Sequence, residues 1–156
     1  MSIMHLPWPV VSLSLLIATL SPLTGCQDSI SDRDIQPIPL VEVRRLMEKE
    51  GAKLLLVDSR LPSEFAAAHI PGAINVPVAG IDADKAKLPP EFANAKWVVV
   101  YGENPGDGYA AAITKRLLRA GQSGARLFAG GFAEWKKARL ADTSDVAPIA
   151  ETGTKK

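Results

Sequence analysis

The side chains able to do chemistry in this 156-residue chain are few, and their placement is uneven. There is one cysteine, Cys26, and two histidines, His5 and His69. A single thiol forms no disulfide within the chain and builds no Cys-rich zinc site, and two histidines make no His-rich one, so no metal or cofactor is expected. His5 falls in an uncharged leading stretch, so a Ser-His-Asp arrangement would have to recruit His69. Charged and polar groups gather in two places. The first is Asp58-Ser59-Arg60, followed by Glu64 and His69. The second is Gly102-Glu103-Asn104-Pro105-Gly106-Asp107-Gly108, a small-residue loop with two carboxylates and no nucleophile of its own.

The elements that must position these groups alternate between two periods. Leu40, Val43, Leu46 and Met47 share a helix face that stops at Gly51. Lys53 to Val57 (KLLLV) is a continuous apolar run, as a strand covered on both faces requires. Pro62 to Ala68 starts with proline in a first-turn position and reads as a short helix. Trp97 to Tyr101 (WVVVY) is β-branched and aromatic, the clearest strand. Tyr109 to Ala120 is a helix that buries Ala110, Ile113 and Leu117 and ends at Gly121; Ala125 to Phe128 and Phe132 to Ala138 follow as strand and helix. Strands alternating with helices predict an α/β fold, a small parallel sheet with helices on both faces.

Composition narrows the function classes. The chain is 47% hydrophobic and 22% charged, ordinary for one domain with a core. A formal net charge of +1 supplies no basic field for nucleic acid and predicts no polybasic patch for anionic lipid. Asp58 ends a buried strand, where a charge persists only when paired, and Arg60 and His69 are the nearby partners. Asp58, Arg60, Glu64 and His69 therefore read as a polar network that holds a loop, and Asn75, beyond the Pro71-Gly72 turn, as a bond to local backbone. Trp135 reads as core packing.

The ends have a different character. Residues 1 to 25 contain no Lys, Arg, Asp or Glu, and Val10 to Leu20 is an apolar run too short for a hydrocarbon core that needs about 20 residues. That length suits a signal-peptide core. Leu23-Thr24-Gly25-Cys26 resembles the bacterial lipobox. The resemblance implies cleavage after Gly25 and a lipid on Cys26 that anchors the chain to a membrane. Gln27, rather than Asp, after the cysteine favours the outer membrane in a cell that has two. The organisation expected is a lipoprotein signal peptide over 1–25, a polar tether over 26–36, a domain over 37–140 and a flexible tail over 141–156.

Two blocks within the domain resemble the signatures of rhodanese-like domains. One is Asp58-Ser59-Arg60, Glu64-Phe65 and His69-Ile70-Pro71-Gly72-Ala73-Ile74-Asn75-Val76-Pro77; the other is Gly130-Gly131-Phe132-Ala133-Glu134-Trp135. The resemblance covers about Ile38 to Ala138. It implies the sulfurtransferase fold, in which active members end the central strand in a cysteine whose thiolate takes up sulfane sulfur, stabilised by loop N–H groups and a helix N-terminus. Here Gly102 stands at that position, Asp107 where many members carry Arg, and Gly108 where they carry Ser. Each change works against a thiolate and an anionic sulfur donor, and Cys26, consumed by the lipid, cannot substitute. The expectation is a catalytically inactive module of the cell envelope that binds or scaffolds a protein partner. The alternative is an enzyme component, either using Asp107, Glu103 or Ser59 or docking a sulfur-carrying partner.

Overall fold

A computed structural model of the chain describes residues 30–81, 88–92 and 94–144. The leader and Cys26 lie outside the described residues, so their roles stay at the level of sequence.

The two most apolar runs become the two central strands. β1 (Leu54–Asp58) pairs in parallel with β3 (Trp97–Tyr101), with Val57 opposite Val100 and Asp58 opposite Tyr101. β2 (Ala73–Asn75) and β4 (Ala125–Phe128) flank them, giving an all-parallel sheet in the order β2-β1-β3-β4. Alternation along each strand separates two cores. Leu56, Val99, Tyr101 and Phe128 face a cluster with Val43, Leu46, Phe132 and Trp135. Val57, Val98, Val100 and Ala125 face the opposite cluster, with Ala110, Ile113 and Leu117.

The helices that supply those partners are α1 (Leu40–Glu50), α2 (Pro62–Ala67) and α4 (Gly131–Lys137) on one face and α3 (Gly108–Arg119) on the other. The parallel α/β sheet with helices on both faces is as expected from the sequence. The strand β2 is an addition: Asn75, expected only to bond local backbone beyond the Pro71-Gly72 turn, is its last residue. Three residues are too few to show a period.

Two boundaries also move. Part of the expected tether is docked on the domain: Ile38 N–H donates to Leu127 O (2.8 Å), Leu127 N–H to Gln36 O (3.1 Å), and Asp32 pairs with Lys115 at 2.7 Å. Residues 141–143, at the start of the expected tail, are bound to the domain. Trp135 Nε1–H donates to Ala141 O (3.0 Å), and Thr143 N–H donates to His69 O (3.1 Å). Polar residues at the two ends carry no hydrophobic period, yet their backbones find partners on the folded domain.

Candidate functional site

All four strands point their C-terminal ends the same way. The β1–α2 loop, the β3–α3 loop and the start of α4 therefore meet at one end of the sheet, the end where open parallel sheets bind ligands.

The first sequence block builds a charged scaffold there. The Asp58 side chain is fully buried and that of Arg60 is 4% exposed. Arg60 donates through its backbone N–H and Nε to Asp58 Oδ1 (2.9 and 3.1 Å) and through Nη2 to Oδ2 (2.7 Å). The same guanidinium reaches Ala68 O (2.7 Å) and, through Nη1, Glu103 Oε2 (3.0 Å), and it lies 4.1 Å from the Phe132 ring centroid. Burial works against the Arg60 charge, but the bonds to Asp58 and Glu103 prevail and hold its pKa above the ordinary value. Asn75 Nδ2 donates to the carbonyls of Asp58 (3.1 Å) and Arg60 (2.9 Å), fixing the loop's backbone as the sequence suggested.

His69 and Glu64 are not members of this network, contrary to the sequence reading. His69 stacks on Phe65 with ring centroids 3.7 Å apart. Its Nδ1 lies 2.8 Å from Phe65 O and 3.2 Å from Thr143 Oγ1, while its backbone N–H donates to Thr143 Oγ1 (3.0 Å). The imidazole thus anchors the C-terminal segment, and Asp58 is satisfied by Arg60 without it. Glu64 Oε2 accepts from Leu61 N–H (3.0 Å), so it caps the start of α2. Ser59 Oγ is buried and donates to Tyr101 O (2.9 Å), which leaves it without a base. Tyr101 accepts from Ile70 N–H (3.2 Å), and burial, reinforced by the Asp58 carboxylate, pushes its phenol far above the ordinary range.

The β3–α3 loop is held from below by the second block. Phe132 N–H donates to Gly102 O (2.9 Å) and Ala133 N–H to Glu103 O (2.8 Å), so the start of α4 binds the loop's carbonyls. The approach depends on Gly131. Its φ is +61°, and a Cβ there would stand 2.6 Å from Gly102 O. At Gly130 the Glu134 side chain occupies the space a Cβ would need. Trp135 is buried in the core, as expected.

Within the loop, Asp107 decides the geometry. Its Oδ2 accepts from Glu103 N–H (3.0 Å) and its Oδ1 from Tyr109 N–H (2.9 Å), while its own N–H donates to Asn104 O (3.0 Å). Asn104 Oδ1 in turn accepts from Gly106 N–H (2.9 Å) across Pro105. Asp107 therefore caps α3 and draws the loop amides onto its own carboxylate. A Cβ built on Gly102 would overlap that carboxylate and lie 2.8 Å from Asp107 Cβ. The space a side chain at 102 would enter is filled by the side chain at 107. The residue types alone suggested two carboxylates repelling anions from an open cradle; the structure instead places one of them in it. Glu103 is not free either, being paired with Arg60 and 3.8 Å from Lys136 Nζ.

Above the loop is a cleft of about 560 Å³, walled by Arg60, Leu61, Val78, Glu103, Asp107 and Tyr109. Leu61 is 63% and Tyr109 60% exposed, so an aliphatic and an aromatic side chain lie uncovered on its rim. Neither was singled out as a binding group in the sequence, because nothing local marks an apolar residue as uncovered. The cleft thus combines an apolar rim, an acidic surplus and no activated nucleophile.

Comparisons with known proteins agree with this architecture. The rhodanese-like domain model matches residues 40–138. A thiosulfate:glutathione sulfurtransferase of Saccharomyces cerevisiae is 29% identical over 114 residues, 65% of this chain and 78% of that protein. A human thiosulfate:glutathione sulfurtransferase is 33% identical over 113 residues, 63% of this chain and 90% of its own. Among solved structures, a human single-domain sulfurtransferase superposes with a TM-score of 0.51 at 29% identity, over 65% of this chain and 95% of that one. With the strand order and the two signature blocks falling inside the matched region, the chain belongs to the rhodanese-like domain family.

Proposed function

We propose that this is a non-catalytic rhodanese-like module, tethered in the cell envelope by a lipid on Cys26, whose cleft binds a side chain of a protein partner. The observation that carries the reading is the overlap between the Asp107 carboxylate and the space above Gly102. A sulfur-accepting thiol has no residue to carry it and no room to stand in. The amides that would stabilise a thiolate serve Asp107. An anionic sulfur donor would meet Glu103 and Asp107, whereas an aliphatic or cationic side chain fits the exposed Leu61 and Tyr109 and the acidic surplus.

The alternative, an enzyme using Asp107, Glu103 or Ser59, is disfavoured by the bonds that already engage each of them. The thiosulfate:glutathione sulfurtransferases it resembles suggest the assay. The full chain is expected to give no transfer of sulfur from thiosulfate to cyanide or glutathione above the uncatalysed rate, and enzymatic turnover would overturn the reading. A photo-crosslinker replacing Tyr109 is expected to capture a discrete envelope protein in cells, and no specific adduct would remove the binding role.

A further inference from the structure

The end of the sheet opposite the cleft is where the chain comes in. Ile30 O accepts from Arg119 Nη2 (3.1 Å), and Asp32 pairs with Lys115, both in the second half of α3. That helix starts at the cleft with Gly108 and runs for 12 residues, about 18 Å at 1.5 Å per residue. From Ile30 the chain climbs toward the cleft end, since Pro37 bridges Leu127 in parallel beside β4. Three residues separate Cys26 from Ile30, and the four steps between them span at most about 14 Å. A lipid on Cys26 thus holds this end of the domain, and not the cleft, close to the bilayer.

The same end is basic. Lys53 and Lys96 immediately precede β1 and β3, Arg126 is the second residue of β4, and Arg119 closes α3. Glu50 is matched by Lys96 (3.4 Å), Asp32 by Lys115 and Glu48 by Arg44 (3.9 Å), while Asp34, bonded to Ser31, offsets one of the remaining cations. Lys53, Arg119 and Arg126 have no ion pair among the described residues. Arg126 is fixed at the end's edge by bonds to Ser123 O (2.9 Å) and Ala125 O (2.8 Å), with its guanidinium 5.0 Å from the Trp97 ring centroid. The cleft end carries the opposite sign through Glu64, Glu103 and Asp107. A net charge of +1 is thus compatible with a surplus of cations at one end of the fold and of carboxylates at the other.

We infer that the basic end is a docking surface for a bilayer containing anionic phospholipid, so that the domain stands with its cleft turned away from the membrane, toward a partner arriving from the aqueous side. The inference rests on the lipid-anchored reading for its geometry and on the charges for its sign. Cations within about 10 Å of the headgroups act inside the Debye length at 0.1 M salt, while the acidic cleft end is repelled.

The full lipidated chain, reconstituted in vesicles carrying a headgroup-labelled acceptor lipid, provides the test. With Cys26 acylated, a donor dye goes on one introduced thiol, Ser123→Cys at the basic end or Ser63→Cys beside the cleft. Transfer is expected to be several-fold stronger from 123 than from 63 in anionic vesicles. The gap should narrow in zwitterionic vesicles, at high salt, and with Lys53→Glu plus Arg126→Glu. Equal or reversed transfer, or a gap indifferent to lipid charge, overturns the inference. A second arm separates it from the anchor: unacylated Cys26→Ser protein at low salt should cosediment with anionic but not zwitterionic vesicles, and the Lys53→Glu, Arg126→Glu protein should not. Absence of that difference overturns the surface, whereas a Cys26 peptide found without acyl chains overturns the anchor and leaves this arm to decide the surface.

Discussion

Two loops at the same end of the sheet use carboxylates in opposite ways. After β1, Asp58 is buried and spends both oxygens on Arg60, a residue two positions away whose guanidinium then reaches across to Glu103. After β3, Asp107 is half-buried and spends both oxygens on backbone amides. The first loop has its charge neutralised by a cation and becomes scaffold. In the second, Asp107 is paired with no cation, and its carboxylate takes the place of the side chain that residue 102 lacks. A family architecture can thus be preserved in one loop while its neighbour is filled from within, because the two loops are stabilised by different kinds of bond.

The comparison is broken most severely at the first loop. Asp58→Ala would leave Arg60 buried with only the half-exposed Glu103 opposite it, and removal of one member of a buried pair costs about 3–5 kcal/mol. Chemical denaturation of the full chain measures this. A loss below about 1 kcal/mol would mean that Arg60 escapes to water and that the two loops are not so different.

The second loop is probed by a cycle. Gly102→Cys forces a side chain onto the Asp107 carboxylate and is expected to cost about 1–3 kcal/mol, as overpacking does. In Gly102→Cys with Asp107→Ala the clash disappears, so the two changes should be less than additive. In a Cys26→Ser background the new thiol of the double variant, inheriting the loop amides, should alkylate faster at neutral pH than a free thiol whose pKa is about 8.5. Strict additivity, or an ordinary thiol, would show that Asp107 and a side chain at 102 do not compete for one space.

The smallest effect separates capping from charge. Asp107→Ala removes the α3 cap and should cost about 1 kcal/mol, with Asp107→Asn costing less because its amide oxygen can still accept from Tyr109 N–H. Equal losses from Ala and Asn would assign the contribution to the second oxygen, which accepts from Glu103 N–H, and to the charge, rather than to the bond from Tyr109 N–H.

Much of the fold was legible because it is written locally. The apolar runs KLLLV and WVVVY, the 3.6-residue spacing of Ala110, Ile113 and Leu117, and stops such as Gly51 and Gly121 each act within a few residues, and the elements fall within a residue or two of expectation. The strand β2 escaped because three residues carry no period. In the site, Asp58–Arg60 was legible because two residues of separation bring the partners together. His69 was misassigned because its partner, Thr143, lies 74 residues away.

By itself the sequence determined the α/β alternation, the two signature blocks, a single cysteine that precedes both blocks, and a glycine at the end of the central strand. Only the tertiary structure decided that Asp107 occupies the space above Gly102, that Glu103 belongs to Arg60, and that Lys53, Lys96, Arg119 and Arg126 gather at the end of the sheet opposite the cleft. The reason is physical. Residue types and short-range periods are properties of neighbouring positions, whereas the meeting of side chains and the sign of a pole depend on which strand ends and helix ends the parallel sheet brings to the same side.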